Sequence, residues 1–216
     1  MYLPVEIDAP IQQGDIFTAI PSVRLSLRNI PHAAASSSDE IHVADWIDLA
    51  ESAESTHFIL DIKPAAAMVL TPDCDALRGE VITLAEIHPF GEVEGKARQT
   101  TSPKKLAKII TQHSRINVKW FYLPKAEQVP FTERMAVDFR AVLSVPREDL
   151  EEVRSLRCAS LGPPAKEHLR ERLADFFRRY PYDEWYPLDQ EQFAAYKKDK
   201  GGDPDIVPFP WQDNSE

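Results

Sequence analysis

Short apolar runs in this chain end on proline. VITLAEIH (81–88) stops at Pro89, NVKWFYL (117–123) at Pro124 and AVLSV (141–145) at Pro146, while AMVL (67–70) climbs into Thr71-Pro72. Proline has no N–H to give a sheet ladder and its ring fixes φ, so each one marks a strand end or a stiff turn. Eighteen prolines stand against seven glycines. The pattern describes many short strands joined by stiff loops, which favours a small barrel or sandwich over a parallel sheet with crossover helices.

Read along the chain, strands are expected at 13–20, at 57–63 and 65–71 (two strands joined at Pro64 or one bent strand), at 80–88, 117–123, 136–145 and 157–161. SPKKLAKIITQHS (102–114) reads as a helix, with Ser102 to cap it, Pro103 at its first position and an apolar stripe of Leu106, Ile109 and Ile110. The clearest helix is 163–179, where Ala165, Leu169, Leu173, Phe176 and Phe177 fall on one face. Short helices fit 44–55 and 191–198, a loop fits 90–101, and 199–216 reads as a tail.

A chain of 216 residues is long enough for one substantial core. It contains no apolar run of about 18 residues, so no membrane span is expected. The acidic start MYLPVEIDAP has no basic leader, and two cysteines, Cys74 and Cys158, fit reduced thiols in a cytoplasm better than a disulfide framework.

Charge is unevenly distributed. The net charge of −10 hides a balance of −12 over 1–94, +8 over 95–125, zero over 126–182 and −6 over 183–216. Residues 95–125 hold eight basic residues and no acid. The whole chain should therefore repel nucleic acid, while this segment attracts an acidic partner, protein or RNA. The candidate contact residues are Lys104, Lys105, Lys108 and Arg115, with Phe209 and Trp211 as aromatic anchors in the tail. Trp120, Phe121 and Tyr122 lie beside the basic run, but strand aromatics are expected to alternate into a core.

The sharpest local motif is TPDCD (71–75). A thiol nucleophile, or a metal held by Asp, Cys and His88, is one reading. However, a thiolate needs positive neighbours and Cys74 has two carboxylates, and no CxxC or HxxxH spacing supports a metal. The plainer reading is a strand-exit turn in which an aspartate accepts backbone N–H bonds and Cys74 packs as a small apolar group. His88 can serve as a general base where a proton partner is positioned, and Lys63 can hold a phosphate. No metal or cofactor is expected.

The order of these elements resembles the MazF/PemK-like toxins. Gly14-Asp15-Ile16-Phe17 resembles the start of that family's first strand, Ala67–Thr71 its second core strand, VITLAEIHPF (81–90) the next, and 136–177 its closing strand, turn, short strand and helix. The resemblance covers about half the chain. It implies a mostly β fold with helical decoration: a small SH3-like barrel over 1–182 with insertions at 21–56 and 95–115 and a C-terminal helix, followed by an acidic, aromatic extension at 183–216. It also implies bacterial toxin–antitoxin or defence assemblies as a setting. The family's ribonuclease arginine falls near Ala65, where the closest basic residue is Lys63, and its Thr falls near Ile87 or His88. A lysine does not replace the bidentate geometry of an arginine. The expected function is therefore a degenerate barrel that serves as a protein-interaction subunit or homodimer. The alternative is a divergent endoribonuclease of single-stranded RNA using Lys63, Asp73, Asp75 and His88.

Overall fold

The proline-punctuated runs pair into one antiparallel sheet. The computed structural model describes residues 1–34, 40–52, 56–116, 118–178, 185–186, 191, 194–195 and 207–208. In chain order its elements begin with β1 (Tyr2–Leu3), β2 (Asp15–Val23), β3 (Ile30–Ala34), β4 (His42–Ala44), α1 (Trp46–Ser52), β5 (Thr56–Phe58) and β6 (Ile62–Val69). There follow α2 (Asp73–Arg78), β7 (Val81–Pro89), α3 (Phe90–Val93), α4 (Gly95–Arg98), α5 (Pro103–Ile116), β8 (Trp120–Leu123) and β9 (Met135–Pro146). The order closes with α6 (Arg147–Glu152), a 3-10 turn, β10 (Arg157–Leu161), α7 (Pro163–Phe177), β11 (Trp185–Tyr186) and β12 (Val207–Pro208). Among the described residues no helix is long and apolar enough to cross a membrane.

Seven strands form the main sheet in the order β1-β10-β2-β6-β7-β9-β8. The sheet is curled: its end strands approach closely enough for the Tyr2 hydroxyl to donate to the carbonyl of Pro124, just past β8, at 2.9 Å. Among the described residues no ladder joins β1 to β8. A second sheet, β4-β3-β5, is built entirely from the long connection between β2 and β6.

Both faces of the main sheet are covered. One face buries Ile16, Met68, Ile87, Phe121, Phe139 and Leu161 against Leu169 and Leu173 of α7. The other buries Phe17, Val69, Ile82 and Leu84 under Ala76 of α2 and Leu150 of α6. A third cluster joins Phe90 and Val93 of α3 to Leu106 and Ile109 of α5 over Trp120. Strand alternation explains why Trp120 and Phe121 are both buried yet belong to different clusters.

Five expectations change. The expected strands at 57–63 and 65–71 divide instead into β5, which pairs with β3 in the small sheet, and β6, which runs through Pro64 in the main sheet. The fold is mixed α and β rather than mostly β, because helices cover sheet surface that loops were expected to cross. Residues 90–98 are two short helices broken at the extended Glu94, and Phe90 and Val93 of the first and Ala97 of the second pack in one cluster with Trp120 and α5. TPDCD is not a bare turn but the entry to α2, with Pro72 as its cap, and Cys74 is exposed while Ala76 takes the buried position. Phe177 is 71% exposed, because position i+8 from Leu169 drifts off the stripe that Leu169, Leu173 and Phe176 bury.

One buried ion pair ties the start of the chain to its last sheet strand. Arg157 Nη1 donates to Asp15 Oδ2 at 2.9 Å and to the Pro10 carbonyl at 3.0 Å, while Nη2 donates to the carbonyls of Glu6, Ile7 and Ala9. Burial pushes the Asp15 carboxyl above its ordinary range, against the opposing bonds from Gln12 and Arg157. Gly14 precedes it with φ 85°, and a Cβ there would sit 3.1 Å from that of Leu161, so the resembling Gly-Asp pair has a backbone reason.

Contacts divide the chain into two units, Met1–Phe176 and Phe177–Glu216. In the second unit β11 pairs in parallel with β12, Trp185 opposite Val207. The parts of the expected helix at 191–198 other than 191 and 194–195, and most of the tail at 199–216, lie outside the described residues.

Arg157→Met should destabilise the protein by about 3–5 kcal/mol at pH 7, because it leaves the Asp15 carboxylate buried and uncompensated. Since the folded-state pKa of Asp15 is raised, its protonated form favours folding, and that contribution is lost as pH rises through the raised value. The penalty should therefore shrink as pH falls from 7 towards 4. Urea unfolding at both pH values checks this, and a pH-independent penalty contradicts it.

Candidate functional site

The site begins with a slip in register. On the β7–β9 ladder Ala85 pairs with Val142 and Ile87 pairs with Val137, so the single residue Glu86 faces four residues of β9, 138–141. Such a bulge bends its strand and re-aims side chains. Within it Phe139 stays in the core, while Asp138 and Arg140 lie two apart beside the cleft. Glu86 and His88, also two apart, share one face of β7.

His88 Nε2 lies 2.9 Å from Glu86 Oε2, with both side chains largely buried. Asp138 accepts from Arg140 Nε at 2.8 Å, from Nη2 at 2.6 Å and from the Arg140 backbone N–H at 3.0 Å. Burial alone would raise the Asp138 carboxyl. The Arg140 donors and the nearby His88 outweigh it and hold the group below the ordinary carboxylate range. The same bond raises the Arg140 guanidinium.

Two open clefts meet at this point. One, of about 730 Å³, is lined by Arg24, Glu86, His88, Glu92, Asp138 and Arg140. The other, of about 650 Å³, runs between the main sheet and the β4-β3-β5 insertion and is lined by Arg24, Ile59, Leu60, Asp61, Lys63 and His88. His88 and Arg24 belong to both. A histidine oriented by a carboxylate can accept a proton from a hydroxyl, and Arg24 and Lys63 can attract an anion. Glu92, Asp61 and the paired Asp138 keep the lining mixed in sign. Among the described residues no group of three or more His, Cys, Asp or Glu is arranged to hold a metal ion.

The sequence-predicted residues divide between two places. Lys63 and His88 line the same cleft. Asp73 lies in a different cleft, beside α7, and is locked there: Oδ1 accepts the Gln13 N–H at 2.9 Å and Oδ2 accepts from Arg170 Nη2 at 2.7 Å. Arg170 Nε also donates to Gln13 Oε1, and Gln13 Nε2 donates to the Leu70 carbonyl. Asp73 therefore fastens the exit of β6 to α7. Asp75 is exposed on α2 and lies within 3.5 Å of the Cys74 thiol. Lys104, Lys105 and Lys108 are exposed along α5, opposite its buried Leu106 and Ile109. Arg115 falls in the last turn of α5, and Phe209 and Trp211 lie outside the described residues.

Glu86, Asp138, Arg140 and Arg24 were not singled out from the sequence. A signal existed for the first three: E-I-H (86–88) and D-F-R (138–140) each place two ionisable groups on one strand face.

A second surface lies on the insertion. Among the described residues eighteen large apolar side chains are exposed, and ten of them fall between Val23 and Ile62. Leu25, Leu27, Ile41, Val43 and Ile47 are each about 60–70% exposed. Among its described residues the small sheet buries only Ile30 and Ala33, and it is braced by an edge-on contact of Trp46 with Phe58.

Compared with protein-family models and with curated proteins, the chain matches none.

Asp138→Asn should lower stability by about 1 kcal/mol at pH 7, a charged hydrogen bond discounted for the half-exposed Arg140. Because the folded pKa is depressed, this stabilisation is present above the unfolded value near 4 and is lost as pH falls through the folded value. Urea midpoints of the two proteins should therefore differ at pH 7 and draw together as pH falls below about 4.

Proposed function

We propose that this chain is a protein-interaction module carried on a small, curled SH3-like barrel of the MazF/PemK-like kind. The observation that carries the reading is the exposed apolar surface of the insertion. Exposed apolar side chains gathered on one segment are costly on a free chain, and apolar patches rimmed by polar residues mark interaction sites. A three-stranded sheet of short strands with so little buried core gains stability from a covering surface. The order of the strands, the near meeting of Tyr2 with Pro124 and the Gly14-Asp15 entry to β2 support the barrel reading. Two free cysteines support a reducing, cytoplasmic setting. The resemblance supports a bacterial toxin–antitoxin or defence assembly.

One observation favours a second reading. His88, oriented by Glu86, sits where two clefts meet beside Arg24 and Lys63, which suits proton abstraction next to a phosphodiester. In this reading the chain is a divergent endoribonuclease whose working groups are His88, Glu86, Arg24 and Lys63. Asp73 is a structural clamp, and Asp75 stands apart on α2.

Two measurements separate these readings. Crosslinking in the native host should recover a stoichiometric protein partner with the wild type and with His88→Ala. The folded triple variant Ile41→Ser, Val43→Ser, Ile47→Ser should lose it. Equal recovery with the triple variant contradicts the interaction reading. Incubated with mixed-sequence single-stranded RNA, the purified wild type should leave the RNA intact. Specific cuts that vanish in folded His88→Ala would establish the second reading instead.

A further inference from the structure

From Asn29 onward the insertion joins its apolar surface to charge of a single sign, while Arg24 and Arg28 lie at its start among Val23, Leu25 and Leu27. Residues 29–62 contain seven acidic residues and no lysine or arginine. Asp45 and Asp48 flank the exposed Trp46 and Ile47, and Glu40 precedes the exposed Ile41 and Val43. Acids and large apolar groups thus alternate over one short stretch rather than occupying separate regions. A ligand that covers this surface must offer apolar side chains at its centre and positive charge around them, because carboxylates brought against other carboxylates lose hydration without gaining a partner.

Resting on the interaction reading above, we infer that the insertion binds a basic amphipathic segment of another protein, with apolar residues on one side and lysine or arginine on the flanks. Two nearer occupants fit less well. The chain's own 183–216 segment carries nine acids against three lysines and would meet the patch with like charge. A second copy offers the lysines of α5, but the apolar stripe of that helix, Leu106 and Ile109, is already buried against Phe90 and Trp120 of its own fold. The exposed face of α5 supplies the charge without the apolar centre. The required partner brings both on one element.

The probes are two Leu/Lys peptides, one with helical and one with alternating spacing, each beside a Leu/Glu counterpart with the same apolar face. Binding to the full-length protein is read by fluorescence anisotropy at low and high salt. At least one Leu/Lys peptide should bind tenfold or more tighter than its Leu/Glu counterpart, and the gap should narrow as salt screens the charges. The Ile41→Ser, Val43→Ser, Ile47→Ser variant should lose tenfold or more. Asp45→Asn with Asp48→Asn should weaken the Leu/Lys peptide selectively. Neither Leu/Lys peptide being preferred, or a preference that survives the apolar triple variant, overturns the inference. So does a mass that doubles with concentration through this same patch, because the occupant is then a second copy. Host crosslinking that depends on the patch, together with no peptide preference, leaves the interaction reading standing and sinks the basic partner alone.

Discussion

The fold depends on a guanidinium that water cannot reach. Arg157 and Asp15 are almost wholly buried, at 1% and 0% side-chain exposure. Such a pair repays its desolvation only when the remaining donors are also used. Here Arg157 spends its Nη1 and Nη2 donors on four carbonyls of the N-terminal segment, from Glu6 to Pro10, while its buried Nε has no hydrogen-bond partner. That segment has no strand of its own to satisfy its backbone, so the arginine replaces a ladder. Fixing it sets β1 beside β10, with Tyr2 opposite Leu161, and Tyr2 in turn reaches Pro124 at the far end of the sheet. The curl of the sheet thus rests on a side chain at the first residue of its shortest interior strand.

What was legible in the sequence follows from periodicity. RCASL matches its expected position without alternation, since nearly all of it is buried, and the helix at 163–177 matches because an i, i+4, i+7 stripe survives in the folded state. Residues 90–101 read as a loop because the segment is polar, yet over 90–98 Phe90 and Val93 are buried and Gly91 packs against Arg98, where a side chain would crowd it. The α2 helix had start and stop signals in Pro72, the early acids, Arg78 and Gly79, but six residues show no period. Arg157 itself gave no signal. Nothing local in RCASL distinguishes a buried arginine from a solvated one, because its partners lie some 140 to 150 positions away.

The candidate site was half legible for a related reason. His88 stands out as a residue type, whereas its partner Glu86 is visible only once the strand is known and its face assigned. Asp138 and Arg140 required more: the bulge that aims them exists only because β9 has more residues than β7 between two ladder pairs. A register shift is a property of two strands together and leaves no mark in either one. The same logic removed Asp73 from the site. Its carboxylate looked like chemistry in the sequence, but α7 brings Arg170 onto it and turns it into a clamp.

The two charged segments have a common origin in the topology. The acidic, apolar stretch is the connection between β2 and β6, and the basic stretch occupies the connection between β7 and β8. Neither contributes a strand between the neighbours of the main sheet, apart from the few residues at their ends. The sheet therefore fixes where these connections start and stop but not what they contain, and their composition is free to follow a ligand. The basic connection still buries its apolar stripe through α3 and α5, so its lysines are the solvated side of a completed helix. The acidic connection leaves its apolar side chains uncovered. Of two segments equally free in sequence, the acidic one keeps large apolar side chains exposed among its described residues, and the proposed interaction rests on that asymmetry.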